Sequence, residues 1–239
     1  SNTENGIDVD KFDYTARDNQ AVGLTLGFDY KRLLFQGRVI NDHICYPKQV
    51  IRDIYHMYLV RYELHLRIYN HKTVKAIEIL LVQILKEMEK ENNISEWINN
   101  PDKILRLTDE SIYFSNNDTI KALVEKIERR QLPKLVAEYR VSGSNSDNIP
   151  DIKYDSSEYE MVIYKAGYIS GKDSNPLNKV YFYDPKDNNV FQISSLKDFS
   201  LLLSSEYQEI VTRIYKLDKN NNKKLELPKG IAEVEKFNL

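Results

Sequence analysis

The spacing of apolar positions changes once along the chain. Val74, Ile77, Leu81, Ile84 and Met88 recur at steps of three and four, which predicts an amphipathic helix with this stripe in a core and Met88 as packing. Lys86, Glu87, Glu89, Lys90 and Glu91 read as its solvated face. A longer helical signal precedes it. Val50, Ile54, Met57, Tyr58 and Leu64 recur at mixed three- and four-residue steps after Pro47, which suits a first helical turn, and the signal ends near Asn70. Thr73 is placed to cap the following helix. Upstream, Gly23 and Gly27 separate an opening helix, starting about Asp10, from a short one over residues 28–36 whose apolar contacts are Phe28, Leu33, Leu34 and Phe35. Further helices are predicted over 95–99, 102–105, 109–114 and 118–129, the last turning Ile120, Leu123, Val124 and Ile127 inward.

Near Leu135 the spacing switches to two. Residues 135–141 and 159–164 alternate as strands do, with a polar turn-forming segment over 142–148. Residues 180–183 and 190–193 flank Asp184-Pro185-Lys186-Asp187-Asn188-Asn189 and predict a hairpin. A helix over 196–204 and a closing strand over 210–216 follow, and the Lys- and Asn-rich tail from Asp218 is expected to be mobile. The expected fold is mainly α. A helical lobe over residues 1–142 precedes a smaller α+β lobe over 143–239, and no internal repeat is evident.

Composition narrows the partners. A net charge of -2 and a pI near 6.1 leave no global basic field to attract nucleic acid. The single cysteine, Cys45, excludes an intramolecular disulfide framework, and no apolar run is long enough to cross a bilayer, so no membrane partner is expected. The expected compartment is cytoplasmic or nuclear. Ser1 and Asn2 read as residues left by removal of a tag.

The chemistry concentrates on two ridges. In the opening helix Asp10, Tyr14 and Asp18 stand at i, i+4 and i+8 with Lys11 beside the first, and farther on Arg61, His65 and Tyr69 repeat that spacing, followed by Asn70 and Lys72. Acids, cations and phenols on one face can hold a phosphate, a sugar hydroxyl and a metal together. Two such ridges imply one cleft. Spacing alone leaves open that both are solvated faces with ordinary intrahelical pairs.

The residues themselves carry a resemblance. NGIDVDKFDYTARD over 5–18 is similar to a segment of the deoxynucleoside-triphosphate (dNTP) triphosphohydrolases of the HD superfamily. The likeness continues through FDYKR at 28–32, LHLRIYNHK at 64–72, LTDESI at 107–112, IERRQLPKLVAE at 127–138 and NPLNKVYFYD at 175–184. In order and over nearly the whole chain, these motifs resemble the C-terminal part of the SAM-and-HD-domain enzyme. The resemblance implies that Asp10 is the last metal ligand, that Lys11 meets phosphate oxygens, and that Tyr14 and Asp18 face the deoxyribose. It implies further that Arg61 steadies the triphosphate, that His65 lies by the reacting phosphate as the catalytic histidine, and that Tyr69 packs where a 2'-hydroxyl fits poorly. Asn70 stands where the family commonly has Gln. Asp29, Arg32, His71, Lys72 and Arg130 match positions that bind a regulatory nucleotide. Around residues 46–49 the family's basic segment is reduced to Lys48, and near residues 172–174 a family lysine is shifted or absent. A divalent metal ion, a dNTP substrate and a homo-oligomer are implied partners.

One departure bears on activity. No His-Asp dipeptide occurs in the 239 residues, and the four histidines are His43, His56, His65 and His71. The family's His and His-Asp metal ligands are therefore missing, and a single carboxylate does not hold a catalytic transition metal with useful affinity. The chain reads as the C-terminal fragment of a longer phosphohydrolase, inactive alone and binding no metal stably. The alternative is a non-catalytic nucleotide-binding or scaffold protein that retains the fold.

Overall fold

The structure is a computed structural model that describes residues 2, 5–24, 26–27, 29–143, 152–168, 174–193 and 206–217, with the backbone of 232–233. By contacts the chain divides into two compact units, the first from Ser1–Asn70, Arg140–Ile149 and Ile163–Val211, the second from His71–Tyr139, Pro150–Val162 and Thr212–Leu239. Each unit draws on segments from both sides of residue 142. The described elements form a helical region with two small sheets.

In the first unit, α1 (Val9–Ala21) begins where the Asp8 carboxylate accepts from the Lys11 backbone N–H at 2.9 Å, an N-cap that satisfies one otherwise orphaned donor. α2 (Tyr30–Gln36) is capped in the same way by Asp29, which accepts from the N–H groups of Lys31 and Arg32. Only Leu33 of its predicted apolar set is buried. Leu34 is half exposed and Phe35 is 82% exposed, because a seven-residue helix turns one narrow face inward, and Phe28 lies outside the described residues. A hairpin absent from the sequence reading follows, β1 (Arg38–Ile40) pairing antiparallel with β2 (His43–Pro47). Asn41 and Asp42 make its turn in the left-handed region, at φ 51° and 61°, which suits the twist of the paired strands. Pro47 thus closes a strand instead of opening a helix. A 3-10 turn over Lys48–Val50 then leads into α3 (Ile51–Leu64), which continues as a single π-helical turn over His65–Tyr69.

Two more strands complete this sheet. β5 (Tyr181–Tyr183) lies parallel to β2, with Cys45 opposite Tyr181, and pairs antiparallel with β6 (Val190–Gln192), which confirms the predicted hairpin. The sheet order is β1-β2-β5-β6. Leu33, Val50, Ile54, Met57, Tyr58, Leu177, Val180 and Phe182 form the core between these elements.

In the second unit, α4 (Lys72–Asn92) is capped by His71, whose Nδ1 accepts from Thr73 N–H at 3.2 Å; Thr73 is the donor here and not the predicted cap. Its buried face is Ala76, Ile79, Leu80, Ile84 and Met88. Val74 is exposed and Ile77 half-buried, so the predicted stripe is correct only at its C-terminal end. Apolar residues wrap more than one face of this helix, and its neighbours decide which face goes inward. Leu80, Ile84 and Met88 pack with Ile120 and Leu123 of α7 (Asp118–Glu128), while Ala76 and Ile79 pack with Tyr215. Short helices α5 (Pro101–Ile104) and α6 (Asp109–Tyr113) lie between α4 and α7 in sequence. Strands β3 (Lys134–Ser142), β4 (Tyr159–Gly167), β7 (Gln208–Lys216) and β8 (Ala232–Glu233) form the second sheet in the order β4-β7-β3-β8, and the residues of β3, β4 and β7 are divided between the two units. The predicted helix over 196–204 and most of the tail from 218 lie outside the described residues.

Truncating the fully buried Ile54 or Ile84 to Ala should each cost about 2–5 kcal/mol. Phe35→Ala should shift stability by less than about 0.5 kcal/mol. Urea denaturation of the three variants measures both outcomes.

Candidate functional site

The site residues lie on α1 and on the C-terminal half of α3 with its π turn, all in the first unit. The entry to α1 is held in place by backbone as much as by side chains. Gly6 turns the chain at φ 72°, the Asn5 Oδ1 accepts from Ile7 N–H at 3.0 Å, and the buried Tyr58 hydroxyl of α3 donates to the Asn5 carbonyl at 2.5 Å. These contacts pin the first turn of α1 against α3. Thr15, on the inward side of α1, returns its hydroxyl to the Lys11 carbonyl at 2.5 Å, so a polar residue is buried without loss of its hydrogen bond.

The two ridges meet. The Tyr69 hydroxyl donates to Asp18 Oδ2 at 2.5 Å, and the Tyr14 hydroxyl and the Arg61 guanidinium are hydrogen-bonded side chain to side chain. His65 stands edge-on to the Tyr69 ring, with centroids 5.0 Å apart and planes at 88°. Arg61 is only 7% exposed and donates to the carbonyl of Gly167 at the end of β4. Lys11 is 9% exposed and donates to the Gly6 carbonyl at 2.5 Å. Asn70 is buried and donates from Nδ2 to the His65 carbonyl at 2.9 Å, which ties the end of the π turn to its start.

These surroundings act on protonation. Burial, and then the neighbouring cations Arg61 and Lys11, push the His65 pKa down to about 4. Lys11 is also lowered, chiefly by burial, with Asp8 opposing and Arg61 adding to the shift. Burial raises Tyr14 against the pull of Arg61. Tyr69 is raised by burial and by its hydrogen bond to Asp18. At neutral pH the site therefore offers a neutral imidazole and two phenols that keep their protons.

The resemblance implies a metal, and the donors present do not fit one. Asp10 is exposed on α1, and among the described residues no group of three or more His, Cys, Asp or Glu side chains is placed to hold an ion. The residues matched to a regulatory nucleotide fall in both units. In the first, Asp29 is engaged as the cap of α2, and Arg32 pairs with Asp53 of α3 at 2.9 Å. In the second, the His71 ring caps α4, the Lys72 carbonyl accepts from Tyr215 at 3.1 Å, and exposed Arg130 ends α7 in the left-handed region at φ 55°. Lys48 is ion-paired with Asp184.

Two residues that hold the site were not singled out from sequence. Gly6 and Gly167 contribute backbone carbonyls to Lys11 and Arg61. A backbone acceptor leaves no mark in residue type, although glycine at a close approach is the one available signal.

The low His65 pKa makes a prediction with a definite sign. Between about 4 and the ordinary histidine value of about 6.5, the unfolded chain binds a proton that the folded chain does not. Stability should therefore fall as pH drops through that window and level off below about 4, as far as this group is concerned. An NMR titration of the His65 ring should give a midpoint well below 6.5, and Arg61→Gln should move it upward.

No family model matches the chain. Individual relatives do. An HD domain-containing protein of Acanthamoeba polyphaga mimivirus is 32% identical over 246 residues, covering 90% of this chain and 53% of that protein. The deoxynucleoside triphosphate triphosphohydrolase SAMHD1 homolog of Dictyostelium discoideum is 28% identical over 231 residues, covering 90% of this chain and 45% of that protein. The human deoxynucleoside triphosphate triphosphohydrolase SAMHD1 is 28% identical over 254 residues, with 90% and 40% covered. The chain thus spans about half the length of the relatives it matches. Over nine tenths of its own length it resembles the HD-superfamily dNTP triphosphohydrolases.

Proposed function

We propose that this chain is the nucleotide-holding part of an HD phosphohydrolase that cleaves a dNTP to deoxynucleoside and tripolyphosphate. The observation that supports it most directly is the joining of the two ridges by the Tyr69–Asp18 and Tyr14–Arg61 hydrogen bonds. In this reading Asp18 accepts from the 3'-hydroxyl and Tyr69 closes the space a 2'-hydroxyl needs. Tyr14 lies along the sugar, Asn70 fixes the π turn beneath it, and Arg61 and Lys11 meet the phosphates. His65, neutral at physiological pH, lies by the reacting phosphate as an acceptor or donor of a hydrogen bond. Asp10 supplies one metal ligand, and the His and His-Asp ligands come from outside these 239 residues. Alone, the chain holds nucleotide without hydrolysing it.

Asp29, Arg32, His71, Lys72 and Arg130 belong in this reading to regulatory nucleotide binding, and residues 143–239 to subunit contacts in a homo-oligomer. Engagement of a triphosphate by Arg32 then requires exchange of its Asp53 partner. A second reading, a binding or scaffold protein without catalysis, is favoured by the Lys11 ammonium bonded to the Gly6 carbonyl and by the lack, among the described residues, of further metal-ligating side chains grouped with Asp10.

Calorimetry with dATP should show binding by this chain, and Asp18→Ala should weaken it at least about tenfold, because a charge-assisted hydrogen bond is worth about 1.5–3 kcal/mol. Chromatography of the same mixtures with magnesium or manganese should show no deoxynucleoside. Hydrolysis by the purified chain, free of contaminant, would refute its inactivity. In the longer protein, Asp10→Ala should abolish release of tripolyphosphate; a folded longer protein inactive on every dNTP and metal would favour the scaffold reading.

A further inference from the structure

Arg61 is a buried cation whose position is set from two directions. From α1 it is met by the Tyr14 hydroxyl, and from the end of β4 by the carbonyl of Gly167. A guanidinium is a rigid planar fork, so hydrogen bonds on two elements fix its plane as well as its place. The end of β4 is itself docked on α3, one to two turns before Arg61. The ring of Tyr168 lies 5.8 Å from that of Tyr58, stacked, and 5.9 Å from that of Tyr55, edge-on.

The same point of β4 is pressed against the strand beside it. Tyr168 N–H donates to the Tyr207 carbonyl at 2.9 Å. A Cβ built on Gly167 would lie 2.4 Å from the Tyr207 carbonyl oxygen, 2.8 Å from Gln208 Cα and 3.0 Å from Gln208 Cβ. The two nearest of these are backbone atoms, which no side-chain rotation can clear. Gly167 is not needed for an unusual φ; it is needed because the strands approach too closely for any side chain. A methyl group there must push the chain at 167 away from 207–208, and the carbonyl that holds Arg61 moves with it.

We infer that Gly167 is a positioning residue for Arg61, and that its missing side chain sets how tightly the triphosphate of a bound nucleotide is held. The nucleotide part of this inference rests on the function proposed above. The backbone of β4 delivers the guanidinium to one point, and a displacement of about 1 Å is enough to cost a large factor in a preorganised site.

The test uses the 239-residue protein and Gly167→Ala. In ¹⁵N-arginine spectra, assigned by loss of the signal in Arg61→Lys, the Arg61 side-chain N–H protons should exchange slowly in the parent and rapidly in Gly167→Ala. By calorimetry the variant should bind dATP at least about tenfold more weakly, with inorganic tripolyphosphate affected in parallel. A variant with a lowered melting temperature but unchanged Arg61 signals and unchanged dATP affinity overturns the inference, since Gly167 is then packing alone. Released Arg61 protons with unchanged dATP affinity overturn its nucleotide part. A parent protein that binds no dATP overturns the nucleotide reading itself, and the arginine spectra still decide the positioning. If Gly167→Ala does not fold, Arg61→Lys serves: it keeps the charge but not the fork, and unchanged affinity for dATP overturns the inference.

Discussion

Two cations are buried within range of each other in the first unit. Arg61 and Lys11 are each exposed by less than a tenth, and Lys11 feels the charge of Arg61 and of Asp8 and Asp10 at the start of α1. Burying a charge is costly unless it is hydrogen-bonded. The chain meets that demand with backbone carbonyls at Gly6 and Gly167, drawn from segments more than 150 residues apart. The N-terminal turn, α1, α3 and the end of β4 are therefore tied to one pair of charges. The aromatic packing of Tyr58 and Tyr168 supplies the apolar surface on which this arrangement rests.

The π turn over His65–Tyr69 shapes what the second ridge presents. Its signature bond runs from Asn70 N–H to the His65 carbonyl at 3.0 Å, one residue longer than in an α-helix. The wider turn brings residues four apart closer to one azimuth, so His65 and Tyr69 meet edge to face and Tyr69 still reaches Asp18. The Asn70 side chain bonds the same carbonyl and so supports the turn it ends. An amide at this position has a local structural task as well as any task toward a ligand.

Burial, and after it the same cations, act on the protonation of the site. Their repulsion adds to burial in holding His65 neutral, while burial keeps the proton on Tyr14. Positive charge beside a neutral imidazole suits an anion better than a second cation.

Much of this was legible in the sequence. The four-residue spacing on both ridges, the hairpin around residues 184–189 and the change to strands near residue 134 follow from local periodicity and turn chemistry, which act over a few residues. The motifs carried the resemblance without help from the fold. Periodicity misled where several faces or states were locally equivalent. Apolar residues wrap α4 too widely to name its buried face, which is set by α7 and Tyr215, and Pro47 is compatible with a helix start until β5 pairs alongside β2. Residue types determined which polar groups the two ridges carry. The tertiary structure alone decided that Asp18 meets Tyr69 and that Arg61 is held by Gly167, because these bonds join segments whose distance along the chain carries no periodic signal and, for Gly167, whose partner is a backbone carbonyl common to every residue.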